Sequence, residues 1–412
     1  MVNSKGGKAD APKKVVVGCQ GGGMHAAFAV GVLTEILNNA DRQEKRKDKD
    51  QKRFELVGLS GTSAGALCAL MTWYGLAPKN GLPGSPQEAI ETLNDFWWDF
   101  LATTCAENVL NFLTYRTFWA EQIEIPMLGV SLAPLAKLNP YGAIFKWADD
   151  CLPILGVRKR YFDLIKLLSD SCPALKRNSI EWEGVNTRLL IGASEVINGF
   201  ESVFDTDVNK GTKPRKVSYW RQRLPLSLDG VAASGTLPIF REAQHVEGGG
   251  YYWDGLYSQN PPVREFFARA HKKPGFGAEE IPDEVWIVRI NPQQWPIVPK
   301  TNGDIQDREN ELMGNLSLHK ELDFVLKVNE WSKRYPDFGR DYKQVTVRTI
   351  KMKEKTADDL QYASKFNRSR EFTEQLRDEG CEVGRNWLDA WRKNEVGEYP
   401  QDAAYRGIPI TR

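Results

Sequence analysis

Several residue types and patterns are scarce or missing in this sequence of 412 residues, and each scarcity excludes certain kinds of site or protein. Only four histidines are present, which limits the choice of a catalytic base. The six cysteines form no C-x-x-C pair, so nothing indicates a zinc site or a disulfide framework, and a reducing compartment is favoured. No run of about 20 apolar residues predicts a spanning helix. The net charge of +1 gives no argument for a nucleic-acid partner.

The N-terminal part of the chain carries no recognisable targeting segment. Residues 1–14 are polar and rich in lysine, so no signal peptide is expected, and 1–12 are expected to be flexible. A cytoplasmic protein is therefore predicted, with membrane contact that is peripheral if it occurs. The 13 tryptophans are the compositional oddity. They suit either membrane interfaces or a large core, and composition does not choose between the two.

The hydrophobic pattern predicts an α/β fold with a mostly parallel central sheet. A β-branched run at 15–17 is typical of a buried strand, and a helix-like apolar segment follows at 24–37. The dense mixed-charge run at 41–53 is expected to form a solvated loop. A second strand at 54–59 leads into a small-residue helix. Strand and helix alternating at this spacing favour three layers, α/β/α.

The rest of the pattern predicts how the chain is divided. Residues 13–300 are expected to form the main domain, and 301–412 a helical region packed against it. A helical, aromatic-rich insertion is predicted at about 78–180. It is expected either to cover the carboxyl edge of the sheet as a lid or substrate channel, or to be a helical subdomain with its own core. Both alternatives stay open.

A G-x-S-x-G pentapeptide at 61–65 lies between the second predicted strand and the helix after it. This strand–turn–helix context is what a nucleophile elbow requires, with Ser63 as the nucleophile. Gly61 and Gly65 let the strand and the helix approach closely. The hydroxyl would then stand at a helix N-terminus, where negative charge is favoured.

Three consecutive glycines end the first predicted strand and are the natural source of oxyanion donors. Gly21, Gly22 and Gly23 have no side chains in the way, so their N–H groups can converge on an anion. A glycine turn is needed here for structural reasons as well.

The base that activates Ser63 is the open question. A serine–acid–histidine order would leave His271, in a solvated-looking loop, or His319, in an amphipathic helix. Asp254 is the better candidate, because aromatic residues precede it and Gly255 allows a sharp turn after it. Shielding from water would raise the pKa of its carboxyl towards useful basicity.

Together these elements resemble the patatin-like phospholipase family over roughly residues 13–300. The segment 21–26 is similar to the family's G-G-G-x-[RK]-G anion loop, 61–65 to its G-T-S-A-G elbow, and 254–256 to its D-G-[GA] acid motif. The resemblance implies a serine lipid acyl hydrolase, phospholipase A- or lysophospholipase-like. Ser63 and Asp254 would form its catalytic dyad and Gly21–Gly23 its oxyanion hole, with no metal or cofactor. The implied substrate is a lipid ester, met by peripheral contact with a membrane or lipid aggregate.

The sequence departs from that pattern at three positions. His25 stands where the family has arginine or lysine, Ala26 where it has glycine, and Leu256 where it has a small residue. Loss of a fixed charge beside the loop suggests that protonated His25 assists at mildly acidic pH, where activity is expected to rise.

Two rival interpretations remain. The loop also fits the G-x-G-x-x-[GA] dinucleotide fingerprint, but the second strand leads to Ser63 instead of the acid that binds a ribose. The departures also allow a catalytically weak or inactive lipid-binding or interaction protein on the same scaffold.

Overall fold

The computed structural model describes residues 11–45, 52–79, 81–122, 156–161, 163–175, 185–208, 215–238, 241–267, 278–295 and 298–400. Within them the central feature is a ten-stranded mixed sheet. Its strands are β1 (Lys13–Cys19), β2 (Phe54–Gly61), β3 (Arg188–Glu195), β4 (Glu201–Asp205), β5 (Arg215–Ser218), β6 (Arg221–Pro225), β7 (Gln244–Val246), β8 (Gly250–Asp254), β9 (Glu284–Arg289) and β10 (Thr346–Lys351).

The sheet is parallel over its first five strands, in the order β10-β9-β1-β2-β3. Beyond β3 the order continues β4-β6-β5, with β4 antiparallel to β3 and parallel to β6. The hairpin β7–β8 is joined to the carboxyl end of β3 through antiparallel pairing with β8. The carboxyl ends of β1, β2 and β3 therefore lie along one edge, which we call the carboxyl edge.

Helices cover both faces of the sheet. They are α1 (Ala27–Lys45), α2 (Ala64–Leu76), α3 (Pro86–Phe100), α4 (Cys105–Gln122), α5 (Leu164–Ser171), α6 (Leu228–Ser234), α7 (Asn302–Arg334), α8 (Phe338–Asp341), α9 (Glu354–Asp359) and α10 (Arg370–Arg392).

Alternate side chains of β1 explain the three layers. Val15 and Val17 join the apolar cluster formed with α1, α2, α3 and α10, whereas Val16 joins a second cluster with Leu318 and Leu322 of α7. Successive residues of a strand point to opposite faces, so a run of three valines serves both layers. The predicted α/β/α fold with a mostly parallel sheet is confirmed.

One local expectation was wrong. Helix α1 continues to Lys45, so it takes in the first part of the charged run at 41–53. The side chains of Asp41 and Lys45 pair one helical turn apart at 2.7 Å, which suits an exposed helix end as well as a loop. Between 301 and 400 the chain is mostly helical, as expected, and β10 in addition extends the sheet beside β9.

The described part of the aromatic insertion is helical, as predicted. Phe96 and Trp97 of α3 are buried in the main cluster with α1 and α2, so here the aromatic residues fill the main core. Phe112 of α4 is exposed, and the side chains of Phe118 and Trp119 lie outside the described residues, as do 123–155. Across the described ranges, no helix combines the length and the apolar character needed to cross a membrane.

Candidate active site

The glycine loop follows β1 at the carboxyl edge and lies directly against the serine turn. A Cβ placed on Gly21 would be 2.7 Å from the Cβ of Ser63, so only glycine allows this approach. Gly23 begins a short 3₁₀ helix (Gly23–Ala26) with a φ of 58°, a left-handed conformation that favours glycine. The loop and the turn are thus held in contact by the absence of side chains.

Ser63 occupies the sharp turn between β2 and α2. Its φ of 56° and ψ of −131° are strained for a non-glycine residue, as expected for a nucleophile elbow. A Cβ on Gly61 would lie 2.2 Å from the carbonyl oxygen of Gly65, and one on Gly65 would lie 2.3 Å from that of Cys19. The Ser63 N–H donates to the Ser234 hydroxyl at 2.9 Å, which ties the turn to the end of α6.

Asp254 ends β8, where the antiparallel pairing with Ala193 of β3 brings it to the carboxyl edge. Its N–H donates to the carbonyl of Thr236 at 2.9 Å, and its side chain is 1 % exposed. Oδ1 accepts the N–H of Leu256 at 2.8 Å. A Cβ on Gly255 would lie 2.5 Å from the carbonyl oxygen of Gly192, so glycine is required for the turn.

The Asp254 carboxyl has an environment that changes its acidity. Burial raises its pKa from 3.8 to about 7, while the Ser63 hydroxyl, the Leu256 N–H and the charge of Lys365 each lower it. Ser63 approaches as a donor, but Oδ2 has no partner in full hydrogen-bond geometry among the described residues. A carboxylate with one oxygen uncommitted and a pKa near neutrality can accept a proton from a hydroxyl nearby.

The three loop glycines do not contribute equally. The N–H of Gly21 donates to the Asn260 side chain at 2.6 Å, so it is not available to an oxyanion, contrary to the expectation for this residue. The N–H groups of Gly22 and Gly23 meet no acceptor within the part of the chain that the structure describes. These two are the candidate donors.

His25 and His319 bond to residues other than Ser63 and Asp254. His25 is buried and its Nε2 lies 2.7 Å from the hydroxyl of Ser364. Burial, together with the charge of Lys365, holds its pKa well below the usual 6.5 and so favours the neutral ring. This environment argues against the expectation that protonated His25 raises activity at mildly acidic pH, and the pH dependence of activity stays a prediction. His319 contacts Gln293 at 2.9 Å, and His271 lies outside the described residues.

Sequence reasoning missed three residues that shape the site. Asn260 precedes a Pro-Pro pair and Ser234 precedes a glycine, and both are visible as local sequence patterns. Their hydrogen bonds to Gly21 and Ser63 are not visible in the sequence, because each joins distant parts of the chain. Lys365 carried no signal, because it lies more than a hundred residues after Asp254 in a segment that had been read as packing.

Comparisons with known proteins bear on the family to which the chain belongs. A family model described as patatin-like phospholipase matches residues 19–267, and no curated protein matches. A structure of the heterodimeric ExoU–SpcU complex from the type III secretion system of Pseudomonas aeruginosa is similar with 14 % identity and a TM-score of 0.33, over 94 % of this chain and 53 % of that chain. A structure of full-length SpcU in complex with full-length ExoU, from the same system, is similar with 14 % identity and a TM-score of 0.28, over 92 % of this chain and 53 % of that chain. The chain thus spans about half the length of these chains.

The family match is the finding that identifies the chain. It covers more than half of the sequence and includes the glycine loop, Ser63 and Asp254. The chain belongs to the patatin-like phospholipase family, whose members are in general lipid acyl hydrolases.

Proposed function

We propose that this protein is a serine lipid acyl hydrolase that cleaves carboxylic esters through Ser63 and Asp254. The observation that carries the proposal is the buried Asp254 carboxyl, with a pKa raised to about 7, beside a serine in a strained turn. A carboxylate with the ordinary pKa of about 3.9 is a poor base for a hydroxyl. Desolvation makes it a better one, and general-base efficiency is greatest when the pKa lies near the operating pH.

The proposed reaction has two halves. Ser63 Oγ attacks the ester carbonyl while its proton passes to Asp254, and the N–H groups of Gly22 and Gly23 stabilise the oxyanion. The C–O bond of the ester then breaks, and the proton on Asp254 goes to the departing alcohol. Water attacks the acyl-enzyme in the same way and releases the fatty acid and Ser63.

Exposed aromatic side chains at the carboxyl edge support a substrate presented in a lipid aggregate. Because β4 is antiparallel to β3 and β6 is parallel to β4, the turn before β6 lies at this edge. There Tyr219 is 82 % exposed, Trp220 63 % and Ile197, in the β3–β4 turn, 71 %. Tyr251, at the start of β8, is also exposed. We call these four residues the edge patch; such rings suit the membrane–water interface.

Within this class, phospholipid, lysophospholipid and neutral ester remain the candidate substrates. A hydrolysis panel over the three, with wild type and Ser63→Ala, distinguishes them. We expect a fluorophosphonate probe to label the wild type covalently, and both labelling and hydrolysis to be lost in Ser63→Ala, because the nucleophilic oxygen is removed.

Ser332→Ala is the matched control, since within the described part of the chain its hydroxyl bonds inside α7, to the carbonyl of Val328 at 2.8 Å. It is expected to label and hydrolyse like the wild type. A folded wild type that binds lipid vesicles but neither labels nor hydrolyses any ester would contradict the proposal, and would favour the lipid-binding alternative.

A further inference from the structure

A segment near the end of the chain lies against the glycine loop. It is the 3₁₀ helix Tyr362–Phe366, outside the region that the family model matches. A Cβ on Gly23 would be 2.4 Å from the carbonyl oxygen of Lys365, so the two backbones touch. The Ser364 hydroxyl donates to the Gln361 carbonyl at 2.6 Å, so His25 Nε2 must donate to that hydroxyl. His25 thus anchors the segment through its Nε2–H.

The Lys365 side chain points back towards the loop. Its amine donates to the side-chain oxygens of Asn310 and of Asn291, the latter at 3.4 Å. The Asn291 amide nitrogen is in turn 3.5 Å from the carbonyl oxygen of Gly21. Two neutral amides therefore hold the amine in place. One of them, Asn291, lies between the amine and Gly21, the residue before the proposed oxyanion donors.

The charge of this amine is not cancelled by a direct partner. Among the described residues, no carboxylate oxygen forms an ion pair with it. Asp307 and Glu311 of α7 line the same small cavity as Lys365 and His25, and Glu311 is bound by Arg308 and Trp295. From α4, the uncharged Asn111 accepts the N–H of Arg368 at 2.7 Å.

Burial and the surrounding carboxylates shift the pKa of the amine in opposite directions. Burial lowers the pKa of Lys365 from 10.5 to about 8, while the charges of Glu311, Asp307 and Asp254 raise it. The amine is mostly protonated at neutral pH. Its charge in turn lowers the pKa of Asp254 and that of His25.

We propose that Lys365 is a positioning residue for the Ser63–Asp254 chemistry, and that its ammonium supplies the positive charge that stabilises negative charge developing at the glycine loop. Lys365 would thus supply, from a segment distant in sequence, the positive charge that His25 does not provide. A fixed charge in a site shielded from water acts strongly and without reorganisation. The inference rests on the proposed function.

The test is the pH dependence of kcat/KM with a soluble short-chain ester, for wild type, Lys365→Gln and Lys365→Arg, over about pH 5 to 10. The wild type is expected to show a bell-shaped profile, in which kcat/KM rises as Asp254 ionises near pH 7 and falls as Lys365 deprotonates near pH 8. Lys365→Gln should lower kcat by about tenfold with little change in KM, since only charge stabilisation of the transition state is lost. Its rising limb should move to higher pH and its falling limb should disappear.

Lys365→Arg restores the charge and keeps it at high pH, because arginine has a pKa above about 12. It should recover most of the wild-type kcat, with a falling limb beyond about pH 10. A Lys365→Gln variant with the wild-type profile and rate would overturn the inference. If thermal melting shows that Lys365→Gln does not fold, the arginine variant still decides, since an unchanged falling limb contradicts a role for the Lys365 charge. A wild type without any hydrolysis or probe labelling would instead contradict the proposed function itself.

Discussion

At the scale of single residues, burial shifts the pKa values of two ionisable groups of the site towards 7, one from below and one from above. The pKa of Asp254 rises to about 7 and that of Lys365 falls to about 8, in each case chiefly because water is removed. Ionisation of the buried Asp254 carboxyl lowers the free energy of unfolding. The same carboxyl that would act as a base therefore reduces the stability of the protein.

Asp254→Asn tests this cost. In the wild type the folded state holds a proton that the unfolded state has released once the pH exceeds 3.8, so stability falls from there up to about pH 7 and is constant above it. The variant lacks this penalty, which for such a shift amounts to at most about 4 kcal/mol. It should lose turnover and yet melt higher than the wild type at about pH 8, with the difference shrinking towards about pH 4.

Thermal melting over that pH range, with Asp358→Asn as control, makes the measurement. Asp358 is an exposed carboxyl on α9, so its substitution should leave melting unchanged. A variant that keeps its turnover would rule out Asp254 as the base. A stability difference that does not depend on pH would rule out the buried carboxyl as its cause.

At the scale of secondary-structure elements, the crossing of α1 and α10 ties the C-terminal region to the main domain. The two helices meet at Gly31 and Gly380, where a Cβ on Gly380 would lie 2.1 Å from the carbonyl oxygen of Phe28. A Cβ on Gly31 would similarly lie 2.0 Å from the carbonyl oxygen of Arg377. Backbone packs against backbone here, so the spacing of the helices depends on both glycines.

Gly380→Ala is expected to destabilise the protein. In an unhindered helix the change would stabilise by about 1 kcal/mol, but here the added methyl group must push the helices apart. We expect a net loss of about 1–3 kcal/mol in urea unfolding. Gln375→Ala, at an exposed position of the same helix, should change stability by less than about 0.5 kcal/mol. Equal effects of the two substitutions would argue against the close crossing.

At the scale of the whole molecule, the sheet places the edge patch and the proposed site at the same edge. Strands rise by about 3.4 Å per residue, so Tyr251 lies about 10 Å along β8 from Asp254. The exposed Tyr335, which follows α7, lies towards the opposite edge, since Asn329 of that helix bonds to Val345 just before β10. The edge patch, which we propose contacts lipid, and Tyr335 therefore lie towards opposite edges of the sheet, so Tyr335 provides a control.

The double variant Tyr219→Ser, Trp220→Ser should lower the rate on phospholipid vesicles by about fivefold or more, because it removes apolar area that would enter the interface. On a soluble short-chain ester its rate should stay within about twofold of the wild type. Tyr335→Ser should behave like the wild type on both substrates. A loss of equal size on both would mean that the edge patch supports the fold instead of lipid contact.

Much of the fold and part of the site could be read from short stretches of sequence. The valine run of β1, the glycine turn and the serine elbow are local patterns, because each depends on backbone geometry within a few residues. β10 was missed, although Val347 and Ile350 are buried in it, because a parallel edge strand takes its partner, β9, from a distant part of the chain. The end of α1 was missed because charged residues suit an exposed helix as well as a loop.

By itself, then, the sequence determined the fold class, the serine turn and the choice of Asp254 as the proposed base, since each is encoded in residues close together along the chain. Only the tertiary structure decided that Gly21 is engaged by Asn260, that His25 stays neutral and that Lys365 stands beside the loop. Desolvation and charge act through space, and the segments that exclude water from Asp254 and bring Lys365 near it are far apart in sequence. For that reason the protonation states of this site belong to the folded molecule.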